Sequence, residues 1–181
     1  MFILGFSLVI YLIVDSKYQW ALFVSGGLIL VRPEAVVIVL GLLFIIRHWS
    51  LKGLIALATL PMLCSVLGNI IGDYPLLYVL TGQPYGGYNV YGNGSWFHYI
   101  ENWGRISTFT ALAMFLVGSF FVVKNKSFSR VILFLVFTGL GILILHIFLW
   151  RFGLLGSAGL VRTLTTALPA ISIIAVYSLS S

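Results

Sequence analysis

Four runs of this chain carry no Asp, Glu, Lys or Arg over nearly the length of a bilayer: Gly53–Ile71, Ser107–Val123, Val131–Trp150 and Thr163–Ser181. A helix needs roughly 17–25 apolar residues to traverse the hydrocarbon, and all four meet that length. None shows strand-like alternation. Helices, which close their backbone hydrogen bonds within one segment, are therefore the expected way to satisfy the backbone in lipid. Hydrophobic residues make up 61% of the 181, and charged residues only 8%. A soluble domain of this size cannot bury so much apolar surface, so lipid is the expected solvent.

Seven helical segments are expected in all: Met1–Val14, Tyr18–Val31 and Pro33–His48, followed by the four runs above. Met1–Val14 lacks the basic start and small-residue cleavage site of a signal peptide, and reads as a helix. Pro33 suits the first turn of a new helix. The alternative, one long helix kinked at Pro33, would reduce the count to six. Two separate helices are preferred, because Arg32 and Glu34 are easier to place at a membrane surface than at its middle. The expectation is an all-α, polytopic transmembrane bundle. It is a single domain over residues 1–181, with one long loop at 73–105.

The charges sort by side. The turns at Lys17, Arg47–Lys52 and Lys124–Arg130 fall on one side and hold all four lysines plus Arg47 and Arg130. The opposite side receives Arg32, Arg105, Arg151 and Arg162, with Glu34, Asp73 and Glu101. The positive-inside rule places the lysine side in the cytoplasm, so the long loop is expected to be extracytoplasmic, at the plasma membrane. The net charge of +6 is scattered one or two residues per loop, without the basic stripe that nucleic acid requires. Cys64, the single cysteine, cannot form an internal disulfide.

The outer side gathers arginines, carboxylates and His98. Arginine presents a planar donor fork that matches phosphate and carboxylate oxygens. The same residues could equally pair with one another at an interface. Arg32-Pro33-Glu34 could hold an anionic headgroup, or Glu34 could serve the helix dipole and pair with Arg32. Asp73 is a candidate cap for a short helix over Leu76–Leu80, or an acid or base. The segment from Gly82 to Gly87 is turn-rich. Tyr85, Tyr91, Trp96, Phe97, Tyr99 and Trp103 make the loop strongly aromatic. Such rings form interfacial belts, and their faces also stack on sugars. His98 lies three residues before Glu101, which would put both on one helical face. No cluster with metal-ligand spacing accompanies them. His146, inside an apolar run, reads as a neutral histidine bonded to a neighbouring helix. The stretch Arg151–Arg162 is rich in small residues, and a helix beginning near Leu160 would aim its positive end beside Arg162.

Taken together, these segments resemble integral-membrane glycosyltransferases of the C-type fold, the family of the dolichyl-phosphate-mannose mannosyltransferases. The matching pieces are RPEA at Arg32–Ala35, GDYPLLYVLTGQPYGG at Gly72–Gly87, YGNGSWFHYI at Tyr91–Ile100 and GSAGLVRTLTTALPA at Gly156–Ala170. Each motif is short, and their order and spacing carry the resemblance. It covers the later part of such an enzyme. Family members carry an acidic motif in an earlier outer loop, which supplies the expected catalytic base; nothing ahead of Arg32 here matches it, since Asp15 falls on the lysine side.

The resemblance implies transfer of a sugar from a polyprenyl-phosphate carrier on the extracytoplasmic face. A carboxylate base would deprotonate the acceptor hydroxyl. Arginines, with or without a divalent metal ion, would stabilise the departing phosphate. Arg32 and Arg162, with Arg151 and Arg105, are the phosphate-binding candidates. Asp73, Tyr85, Tyr91, Trp96, His98 and Glu101 are the candidates for sugar or acceptor. No residue is assigned as the base. The alternative is a non-catalytic accessory subunit of a larger membrane complex. A transporter is disfavoured, because no apolar run carries an acidic coupling residue at its centre.

Overall fold

Helices account for all regular structure among the described residues of the computed structural model, which are 1–32, 34–46, 50–72, 93–124, 129–153 and 161–180. For 161, 162 and 180 the description covers the backbone alone. Residues Met1–Gly86 and Gly87–Ser181 form two compact units.

The first unit contains α1 (Phe2–Val14), α2 (Tyr18–Val31), α3 (Ala35–Ile45) and α4 (Leu51–Gly72). α2 is its centre and touches each of the other three. At the α1–α2 turn, Ser16 adopts a left-handed conformation with φ 58°, and Lys17 pairs with Asp15 at 2.7 Å. The hydrogen bond to Asp15, and then its charge, hold the exposed Lys17 ammonium above the ordinary lysine pKa. Arg32 is extended, at φ −154° and ψ 128°, so the helix stops there and a new one begins at Ala35. The chain thus forms two helices here and not one kinked rod.

α2 and α4 approach each other backbone to backbone. Gly26 lies against the Leu57 carbonyl oxygen, where a Cβ would overlap it, and Pro61 Cδ stands 3.4 Å from the same position. Pro61 lies inside α4. Having no N–H, it cannot serve the carbonyl four residues before it, which is that of Leu57. The Gly26 α-hydrogen points at this otherwise unserved oxygen, the arrangement of a Cα–H···O contact. A mid-helix proline and a glycine on the partner helix thus explain one another.

The second unit contains the short helix α5 (His98–Glu101), a 3₁₀ turn (Trp103–Arg105), α6 (Phe109–Lys124), α7 (Arg130–Phe152), a 3₁₀ helix (Val161–Ala167) and α8 (Leu168–Ser180). α8 packs on both α6 and α7. The buried contacts are Phe115, Phe134, Leu135, Ile142, Leu164, Ile171 and Ile174. Gly118 on α6 admits Ile174 and Ser178, and Gly139 on α7 admits the Phe115 ring. α7 is framed at both ends. The Ser129 hydroxyl accepts from the Ile132 N–H, and Gly153, at φ 63°, closes the helix in the left-handed conformation that glycine adopts without strain.

The expected segments are helical over most of their described length, with Ile46, Ser107 and Thr108 outside any helix, but their lengths differ from expectation. Two helices, α4 and α7, are long and apolar enough to cross a membrane, at 22 and 23 residues. α6 has 16 residues, and Thr163–Ser181 is divided between a 3₁₀ helix and the 13-residue α8. That division has a local cause. Thr163, Thr165 and Thr166 are β-branched and carry hydroxyls that compete for the backbone, as Thr166 does by donating to the Thr163 carbonyl at 2.9 Å. Pro169 then sits in the first turn of α8, the helical position where a missing N–H costs least.

Candidate functional site

The described end of the long loop is docked on the C-terminal part of α7. It begins at Gly94, whose N–H donates to the Trp150 carbonyl at 3.3 Å. A Cβ on Gly94 would collide with the Trp150 indole, so only glycine lets the chain pass there. The Ser95 hydroxyl accepts from the Phe97 N–H at 3.1 Å and starts the turn into α5. The Asn102 side chain donates to the His98 carbonyl at 2.8 Å and ends α5. The Trp103 indole N–H donates to the Thr108 carbonyl at 3.2 Å, and the Thr108 hydroxyl in turn accepts from the Ala111 N–H in the first turn of α6. Loop and helix are joined by a chain of hydrogen bonds.

The rings sort into two sets. Tyr99 and Trp103 are 1% and 0% exposed and belong to the core. Trp96 is 42% exposed and lies edge-on to Phe148 and Phe152, with centroid distances of 5.4 and 5.8 Å. The aromatic-belt expectation therefore fits Trp96 and not its two buried neighbours. The His98 ring lies 5.2 Å from Tyr99 and 5.2 Å from Trp150. Arg151 places its guanidinium 5.8 Å from the centre of the Trp96 ring, a cation–π distance. Glu101 and Arg105 are both exposed.

His146 is buried at the inner edge of this cluster, 6.0 Å from the Tyr99 ring. Its Nδ1 lies 3.4 Å from the Thr163 hydroxyl. α7 and the 3₁₀ helix meet at this pair, which gives His146 the contact with a neighbouring helix expected from the sequence. Arg162 precedes Thr163 on the same 3₁₀ helix. The structure thus brings Trp96, His98, Arg151 and the backbone of Arg162 to one end of α7. Gly94, Phe148, Trp150 and Phe152 were not singled out in the sequence. The spacing of Phe148 and Phe152 around Arg151 was the available signal for two of these four positions.

Arg32 lies in the other unit. Its Nη1 is 4.0 Å from a Glu34 carboxylate oxygen, too far for a hydrogen bond, and the side chain is 33% exposed. That Nη1 is itself shielded and finds no acceptor among the described residues. Buried donors are normally satisfied, so this enclosed guanidinium N–H calls for an acceptor beyond the described residues. Asp73, Tyr85 and Tyr91 lie outside the described residues. So does the short helix expected at Leu76–Leu80.

A cavity of about 430 Å³ opens at the opposite end of α2 from Arg32, lined by Ser16, Lys17, Gln19, Trp20 and Ser50 among others. None of the candidate residues lines it. Among the described residues, no three His, Cys, Asp or Glu side chains gather as a metal site. No family model, no curated protein and no solved structure matches the chain.

Proposed function

We propose that this chain is a polytopic membrane protein and the later part of a glycosyltransferase that takes a sugar from a polyprenyl-phosphate carrier on the extracytoplasmic face. The observation that carries the reading is the enclosed Arg32 Nη1, which has no acceptor among the described residues, beside a helix start within the RPEA segment. A phosphate oxygen supplies what this donor lacks, and a charge-assisted hydrogen bond there is stronger than a neutral one. The colinear resemblance adds the substrate class. The docked aromatic segment adds rings of the kind that meet sugars. Arg32 is assigned to the carrier phosphate; Arg162, in the other unit, is a separate phosphate-binding candidate, and the loop residues are candidates for sugar or acceptor.

No residue of this chain is assigned as base, since Asp15 is occupied by Lys17 and Glu34 lies beside Arg32. The described residues supply no group of three metal-ligating side chains. A second reading, an accessory subunit, is favoured by α4. Only 6% of its apolar window is buried, against 44% for α7, which leaves a long apolar face for lipid or a neighbouring subunit.

The test is binding of a short-chain polyprenyl-phosphate-mannose by the chain in nanodiscs. Losing a charge-assisted hydrogen bond costs about 1.5–3 kcal/mol, so Arg32→Ala and Arg162→Ala should each bind roughly ten- to a hundredfold more weakly. Arg32→Lys should be impaired as well, because the charge survives but the fork does not. Unchanged binding in both alanine variants would leave these arginines as interfacial anchors. No binding by the unaltered chain would contradict the donor assignment.

A further inference from the structure

The end of α7 carries a combination of exposed aromatic side chains and an arginine that suits a membrane interface. Trp96, Phe97, Ile100, Phe148 and Phe152 are all exposed. So many apolar side chains in water would form a patch of the kind that soluble surfaces avoid. Arg151 stands among them, half-buried, and sinking it into hydrocarbon is costly. The boundary between headgroups and acyl chains accepts both, which is why aromatic and basic residues concentrate there.

The length of α7 places the patch independently. A helix of 23 residues is about 35 Å long, a little more than the roughly 30 Å of hydrocarbon. If it crosses, its two ends lie at the two interfaces. Trp150, Arg151 and Phe152 are its last three residues.

We propose that this end of α7, with the segment docked on it, is a membrane-interface anchor whose Arg151 binds the phosphate of an anionic phospholipid in that leaflet. The proposal rests on the membrane-crossing part of the reading above and not on the glycosyltransferase part. Arg151 lies over Trp96 at 5.8 Å, and no carboxylate pairs with it among the described residues. The ring holds the guanidinium, leaving its N–H edge to meet phosphate oxygens. The negative end of the α7 dipole disfavours an anion, so the guanidinium supplies the attraction by itself. Tyr99 and Trp103, both buried, form the footing that fixes Trp96 beside Phe148. Arg151 is assigned to bulk lipid and not to the carrier phosphate.

The experiment uses the full chain in nanodiscs of phosphatidylcholine with phosphatidylglycerol. The Trp96 emission is isolated as the difference between the unaltered chain and Trp96→Phe. Lipids brominated near the headgroup should quench it more than lipids brominated near the bilayer centre. Arg151→Ala should retain about fivefold less phosphatidylglycerol through purification, the effect of one interfacial cation. Arg151→Lys should retain most of it, and added polyprenyl phosphate should displace none. Trp96 emission quenched by aqueous iodide and by neither lipid, or most strongly by the deep bromines, would overturn the proposal. So would equal phosphatidylglycerol retention in Arg151→Ala, or its displacement by polyprenyl phosphate, which would return Arg151 to the carrier site. A chain that fails to enter nanodiscs contradicts the membrane reading itself, and is distinguishable from all of these.

Discussion

Trp103→Ala is expected to lower the stability of the second unit by about 3–5 kcal/mol, the usual cost of emptying a buried tryptophan site. Trp103 is fully enclosed, and its indole N–H donates to the Thr108 carbonyl at 3.2 Å. Removing the side chain leaves a cavity and takes one donor from the Thr108 carbonyl, which keeps the Leu112 N–H at 3.3 Å. Thr108 also caps α6, so the damage should reach that helix. For a chain of this length, the shift in melting temperature should be roughly 6–20 °C. Trp103→Phe should cost less than alanine: it keeps a six-membered ring in the site, and its cost combines the smaller lost volume with about 1 kcal/mol for the hydrogen bond. Circular-dichroism melts in detergent check both. An alanine variant that melts like the unaltered chain would mean the aromatic segment does not dock.

The second large effect concerns the α2–α4 crossing. Gly26→Ala puts a methyl onto the Leu57 carbonyl oxygen, which is backbone and cannot rotate away. The helices must separate, and overpacking of this kind costs typically about 1–3 kcal/mol. Gly26→Leu should be worse and should abolish the crossing. Gly27→Ala is the control, since its methyl would meet only the Leu60 Cδ1, at the end of a flexible side chain, 2.8 Å away. It should cost little, and the gain in helix propensity offsets part of it. Equal melting of Gly26→Ala and Gly27→Ala would remove the backbone contact as an explanation for the glycine and for Pro61.

The positions of the helices were legible because apolar runs and charged turns alternate with little ambiguity. α1 and α2 fall where the sequence places them, and α4 and α7 differ from expectation by one or two residues at each end. Length was less legible. Thr163–Ser181 reads as one apolar run, yet hydroxyl competition and Pro169 convert its start to a 3₁₀ helix, a local effect that hydropathy does not register. Facing was the least legible. Trp96, Tyr99 and Trp103 look alike in sequence, and only the docking of α5 decides that two are core and one is surface. His98 and Glu101 share a short helix as their spacing predicts. Gly94, by contrast, gave no sign that an indole would press against it. The pairing of Gly26 with Leu57 joins residues 31 positions apart, and no local pattern announces it.

The account depends most on which side of a membrane the long loop occupies. An enzyme that draws sugar from an extracytoplasmic carrier needs the loop outside and the lysine-bearing turns inside. The direct measurement is cysteine accessibility in intact cells, in a Cys64→Ser background, with a maleimide that does not cross membranes. Asn93→Cys should label from outside. Ser127→Cys should label only after permeabilisation, because the lysine-rich turn belongs in the cytoplasm. Labelling of Ser127→Cys but not Asn93→Cys from outside would invert the orientation and contradict the proposed function.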